Sequence, residues 1–93
     1  MKYITFCMLT DEFLRLPLDE RRSYVPKWSQ IASKYGVRLL FWGMPMGERE
    51  HLVCAFEADK NGRAFFRFER EWLVLGTPEA GKHIKSLRTI IVY

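Results

Sequence analysis

Val37-Arg38-Leu39-Leu40-Phe41-Trp42-Gly43-Met44, a connector over residues 45–50, and His51-Leu52-Val53-Cys54-Ala55-Phe56-Glu57-Ala58 decide the fold. Both apolar runs are strand-sized and rich in aromatic and aliphatic residues. The six-residue connector containing Gly47 is short enough to make them an antiparallel hairpin. If Met44 faces His51 across that hairpin, the same register sets Arg38 opposite Glu57, a cross-strand ion pair.

Working outward, residues 2–9 (Lys-Tyr-Ile-Thr-Phe-Cys-Met-Leu) form a preceding strand, followed by a loop over 10–17. A helix is expected over 18–35, because Leu18, Tyr24, Val25, Trp28, Ile31, Ala32 and Tyr35 share one face of a 3.6-residue repeat. Gly36 stops it. Pro26 removes a backbone donor, so the expectation is a short segment and then a main helix with Pro26 in its first turn. On the other side of the hairpin, Asp59-Lys60-Asn61-Gly62 is a turn. Residues 63–75 read as a helix with Phe65, Phe68, Trp72 and Leu75 on one stripe, although Asn61-Gly62 also suits a hairpin into another strand. Thr77-Pro78-Glu79 opens a short helix ending near Lys82 or His83. Residues 87–93 close the chain as a strand.

Strand, helix, strand, strand, helix, strand is economically solved by an α+β fold: a ferredoxin-like βαββαβ unit with a four-stranded antiparallel sheet and both helices on one face. Right-handed crossovers give the spatial order 4-1-3-2. Alternation sorts the strand residues into two sets. Ile4, Phe6, Met8, Val37, Leu39, Phe41, Leu52, Cys54 and Phe56 contain no charge and are assigned to the helix-covered core. Thr5, Cys7, Leu9, Arg38, Leu40, Trp42, Met44, His51, Val53, Ala55 and Glu57 form the other face. That face is too apolar for open water, through Leu40, Trp42, Met44 and Val53, and is expected to pair with another copy of the chain.

Ninety-three residues suit a single domain spanning 1–93, and 48% hydrophobic content is ample for its core. No stretch approaches the ~18 apolar residues of a membrane span, and the start of the chain lacks signal-peptide character. The location expected is the cytoplasm. Cys7 and Cys54 sit in strand-like runs outside any Cys-x-x-Cys pair and read as buried free thiols. Two cysteines and two histidines show no ligand spacing, so no metal and no cofactor are expected. A net charge of +4 favours anionic partners only slightly.

With Lys27-Trp28 in the first helix and Thr77-Pro78-Glu79 leading to Arg88-Thr89 in the last strand, the order of elements resembles the dimeric α/β-barrel superfamily, whose protomer is ferredoxin-like. That superfamily includes cofactor-independent monooxygenases of the antibiotic-biosynthesis type, muconolactone isomerase, chlorite-dismutase-like haem proteins and the ligand domains of Lrp-type regulators. The resemblance covers the whole chain as an order of elements and carries no catalytic residue over. It implies a homodimer and a small-molecule cavity.

The polar lining expected for a cavity at the dimer face is Arg38, Trp42, His51 and Glu57; for one between helix and sheet, Tyr24 and Trp28 are the aromatic candidates. Each has a plainer role: Arg38 and Glu57 as a register-fixing pair, His51 as a solvated loop-end residue, and the aromatics as ordinary core. His83 suits the C-terminal end of the short helix. Two functions follow: binding of a compact organic ligand, as in a cofactor-free monooxygenase or an isomerase, or a non-enzymatic sensing or assembly module of the Lrp-effector type. RNA binding is a third. Residues 62–68 (Gly-Arg-Ala-Phe-Phe-Arg-Phe) look like the aromatic stretch of an RNA-recognition motif, yet that stretch belongs on a third strand, here His-Leu-Val-Cys-Ala-Phe. Nucleic acid is therefore not the expected partner. Arg63, Arg67 and Arg70 make a stripe whose field Glu69 and Glu71 weaken.

Overall fold

The computed structural model describes residues 1–59, 62–73 and 84–93. Its elements are β1 (Lys2–Leu9), α1 (Asp11–Leu14), α2 (Leu18–Lys34), β2 (Arg38–Gly43), β3 (Leu52–Glu57), α3 (Arg63–Leu73) and β4 (Ile84–Val92). The strands form one antiparallel sheet in the order β2-β3-β1-β4, which is the expected 4-1-3-2. The arrangement is ferredoxin-like. The short helix expected over 77–83, and His83 with it, lies outside the described residues.

Aromatic packing joins the helices to the sheet. Phe56 on β3 meets Phe68 and Trp72 of α3 edge-on, with ring centroids 5.0 and 5.7 Å apart, and Trp72 meets Trp28 of α2 at 5.7 Å. Such edge-to-face pairs add to the free energy of simple burial. At the far end, Tyr3 of β1 stacks on Phe65 at 4.1 Å. Gly62 is needed just there: its φ is +73°, and a Cβ would sit 3.3 Å from the Tyr3 hydroxyl oxygen. Polar bonds also tie α3 to its neighbours. Tyr35 donates to Glu71 Oε1 at 2.8 Å while Lys34 reaches Oε2 at 2.6 Å. Thr89 donates to Glu69 Oε2 at 3.0 Å, so the buried Thr5 hydroxyl, 3.1 Å away, donates to Thr89.

Four expectations need correction. The core face of β1 is Tyr3, Thr5, Cys7 and Leu9, whereas Ile4, Phe6 and Met8 are half-buried on the opposite face. Tyr3, Thr5 and Cys7 pair with Phe56, Cys54 and Leu52, all buried. Charge could not sort this strand, since neither face of β1 between Tyr3 and Leu9 carries any.

The second correction lies in β2. Arg38 does pair with Glu57 and Leu39 with Phe56, but Phe41 then pairs with Ala55 and Trp42 with Cys54. Leu40 is an extra residue, a β-bulge, and beyond it the alternation inverts. Phe41 moves to the open face, 60% exposed, and Trp42 joins the helix side. The described ladder ends at Gly43–Val53 in the shifted register, so Met44 does not face His51 within it.

Third, α2 runs unbroken through Pro26. Pro26 is solvent-exposed, so water can serve the Arg22 carbonyl that loses its helical donor. Burial of Val25, Trp28, Ile31 and Ala32 offsets the ~3 kcal/mol that an interior proline costs. Gly36, with φ +73°, ends the helix as expected. Fourth, the loop over 10–17 holds α1, capped by Thr10 Oγ1 accepting from the Phe13 amide at 3.2 Å. The last strand begins at Ile84, three residues earlier than expected. The helix reading holds over Arg63–Leu73, which is α3; residues 74 and 75 of the expected span lie outside the described residues.

Phe56→Ala removes the ring at the centre of this packing. The expected loss is about 3–5 kcal/mol, read as a lowered urea midpoint with an unchanged slope; a loss under ~1 kcal/mol would contradict the role given to Phe56.

Candidate functional site

A half-open groove of about 360 Å³ lies where α1 and the first half of α2 meet the far end of the β2–β3 hairpin. Its buried apolar lining is Leu9, Phe13, Val25, Trp28 and Leu52. Phe13 reaches this position because the Thr10 cap starts α1 immediately after β1. Tyr24 is not itself in the lining; it packs behind, 5.6 Å from Phe13 and 6.4 Å from Trp28. The upper walls are apolar yet open to solvent, with Leu18 at 51%, Trp42 at 41% and Met44 at 82% exposure. Trp42 lines the groove only because the bulge at Leu40 turned it to the helix side.

His51 closes the inner end. Its backbone N–H donates to Cys7 O at 3.0 Å, and its Nδ1 accepts from the Leu9 N–H at 3.1 Å. The second bond leaves the neutral ring with its proton on Nε2, a donor on a ring that lines the groove. His51 is therefore fastened to the end of β1 and is not the solvated loop-end residue of the plainer reading.

Charged residues also line the groove: Arg21, Arg22, Glu48, Arg49 and Glu50. Glu50 is buried and held bidentately by Arg88 of β4, with Nε–Oε2 at 2.8 Å and Nη2–Oε1 at 3.2 Å. Arg88 also reaches Glu48 at 3.5 Å and lies 4.3 Å over the Phe6 ring. The Arg88 guanidinium holds the Glu50 carboxyl below the usual carboxylate range. Arg21 Nε donates to Leu16 O at 3.1 Å, which fixes that side chain against the turn before α2.

The six residues expected to line a cavity are thus divided. Trp28, Trp42 and His51 come together, with Tyr24 behind them. Arg38 and Glu57 lie at the opposite end of the hairpin, on the open face, bonded to each other. Phe13, Arg21, Arg22, Arg49 and Glu50 were not anticipated. Thr10-Asp11-Glu12, a capping hydroxyl followed by two acids, is the signal that would have found α1 and hence Phe13. Nothing local in the sequence announces the Glu50–Arg88 bond, which spans 38 positions.

Cys7 and Cys54 are free and buried. Their mutual hydrogen bond, then burial, pushes the Cys7 thiol well up, which keeps it protonated and poorly nucleophilic. Among the described residues no group of three or more His, Cys, Asp or Glu is arranged to hold a metal ion. Nor is any described helix long and apolar enough to cross a membrane.

No protein-family profile and no curated protein matches the chain. A solved structure to which it is similar is a dimeric protein of unknown function and ferredoxin-like fold from Bacteroides fragilis NCTC 9343. The identity is 15%, the alignment covers 96% of this chain and 90% of that one, and the TM-score is 0.41.

The Glu50 and Glu71 carboxyls are both lowered in the folded chain, Glu50 by Arg88 and Glu71 by Lys34 and then Tyr35. Their stabilising contribution is complete above the unfolded carboxylate pKa and is lost as pH falls through the lower folded value. Thermal midpoints should therefore drop on acidification from pH ~6 to ~3. Glu50→Gln should make that drop shallower while lowering the midpoint at neutral pH. An unchanged pH profile in the variant would contradict the assignment.

Proposed function

We propose that the chain is a small-molecule-binding domain whose ligand sits in the groove between α1, α2 and the end of the β2–β3 hairpin. The observation that carries this reading is the set of solvent-open apolar side chains, Leu18, Trp42 and Met44, standing over a buried aromatic floor. Exposed large apolar groups gathered in one concavity mark a place that something covers. At about 360 Å³ the groove is near the small end of ligand pockets and suits a compact molecule. With His51 presenting one donor and both thiols buried, the geometry favours recognition over catalysis, closer to the sensing module than to the monooxygenase or isomerase.

A fragment screen by heteronuclear NMR tests this. Binders should shift the Trp42 indole, Leu18 methyl and His51 ring resonances together. A screen whose hits leave those three unmoved would overturn the reading.

A second reading concerns the open sheet face and rests on its composition. Ile4, Phe6, Phe41, Val53, Ala55, Ile90 and Val92 make it apolar, and its ionic groups are largely answered within the chain, Arg38 by Glu57 and Arg88 by Glu50 and Glu48. A surface with its charges so matched is complementary to another copy of itself, which is what a two-fold interface requires. This keeps the expected self-pairing but changes the face: Trp42 leaves it, and Phe6, Phe41 and Ile90 enter. Sedimentation should show a concentration-dependent dimer in the micromolar range, and Ile90→Asp should render it monomeric with its folded circular dichroism spectrum intact. A wild-type chain that stays monomeric throughout would sink the proposal.

A further inference from the structure

The charges around the groove are unevenly matched. Three arginines, Arg21, Arg22 and Arg49, line it against two glutamates, Glu48 and Glu50. Both carboxylates are already bonded to Arg88, which is not part of the lining. Asp19 and Glu20, in the first turn of α2, answer the positive end of that helix from outside the lining. Arg22 and Arg49 are exposed, and Arg21 is half-buried and fixed through its Nε by Leu16. The rim is therefore positive, the floor is aromatic, and His51 offers a proton donor instead of an acceptor.

We infer that the groove takes a compact aromatic or alicyclic acid: its apolar body lies between Trp28 and Trp42, and its anionic group meets the arginines at the mouth. This rests on the small-molecule reading of the groove and adds the charge class of the ligand. A neutral ligand would leave the excess of arginine over carboxylate in the lining unanswered. A cationic one would be repelled by that excess, since both acids are occupied. A carboxylate gains charge-assisted bonds, bidentate where a guanidinium can present two N–H groups to it.

The test uses 3-phenylpropionate and its neutral isostere 3-phenylpropanamide, titrated calorimetrically at low ionic strength. The acid should bind about tenfold or more tightly than the amide, and about 0.5 M sodium chloride should erode most of that difference, since rim charges are screened. In the double variant Arg22→Gln/Arg49→Gln, with its fold checked by circular dichroism, the acid-to-amide preference should fall below about threefold; a preference kept at about tenfold would overturn the inference. Equal binding of acid and amide by the wild type would overturn the charge inference and leave the groove standing as a site. Binding of neither at millimolar concentration, while NMR finds other occupants, would overturn it too. If nothing at all occupies the groove, both readings fall.

Discussion

A single extra residue in β2 governs where the aromatic surface of this protein goes. With Leu40 unpaired, Leu39 remains against Phe56 on the core side, Phe41 turns to the open face and Trp42 turns back beneath the helices. A regular strand would do the reverse beyond that point, because side chains alternate with a strict period of two. The groove would then lose its Trp42 wall, and the open sheet face would exchange a phenylalanine for an indole. The bulge thus sets both surfaces to which a role is assigned. Its position fits the general tendency of bulges to sit near sheet edges and re-aim a side chain, since β2 is an edge strand.

Around that constraint the chain separates its chemistry by location. The centre is an aromatic column from Tyr3 through Phe65, Phe56 and Phe68 to Trp72 and Trp28. Ionic pairs are set apart from it: Arg38 with Glu57 at one end of the β2–β3 hairpin, and Arg88 with Glu50 and Glu48 of its connector at the other. The buried Glu50 end of the second pair matters more than the exposed first, because exposed ion pairs contribute about 0–1 kcal/mol at most. A buried carboxylate that lost its guanidinium would be left uncompensated. That bond also anchors the loop between β2 and β3, the segment that delivers His51 and Arg49 to the groove.

Much of this was legible in the sequence, and what was not had definite causes. The longer elements, their order and the strand order follow from periodicity and connector length, which are local properties; α1 was missed, and the Arg38–Glu57 pair was reached from a Met44–His51 pairing that the bulge displaces. Trp28, Trp42 and His51 were also recognisable as candidates, though Trp42 was assigned to the wrong face. The two face errors share one physical origin. Face assignment by alternation needs a charge to break the tie and an unbroken ladder, and here β1 offers no charge between Tyr3 and Leu9 while β2 breaks its ladder at Leu40. The mouth of the groove was invisible for a different reason: Glu50 and Arg88 are far apart in sequence, and what Arg21, Arg22 and Arg49 can offer a ligand depends on that bond. Pro26 illustrates the converse, a strong local signal overridden because the residue lies on the exposed side of a helix held by packing.

The central claim is that Trp42 faces the helices and Phe41 does not, and proton–proton nuclear Overhauser contacts test it directly. The account predicts contacts from the Trp42 indole to the side chains of Cys54 and Leu52, and from the Phe41 ring to the methyl of Ala55. Contacts from the indole to Ala55 and Val53 instead, with the Phe41 ring against Cys54, would restore the regular strand and remove the wall on which the groove depends.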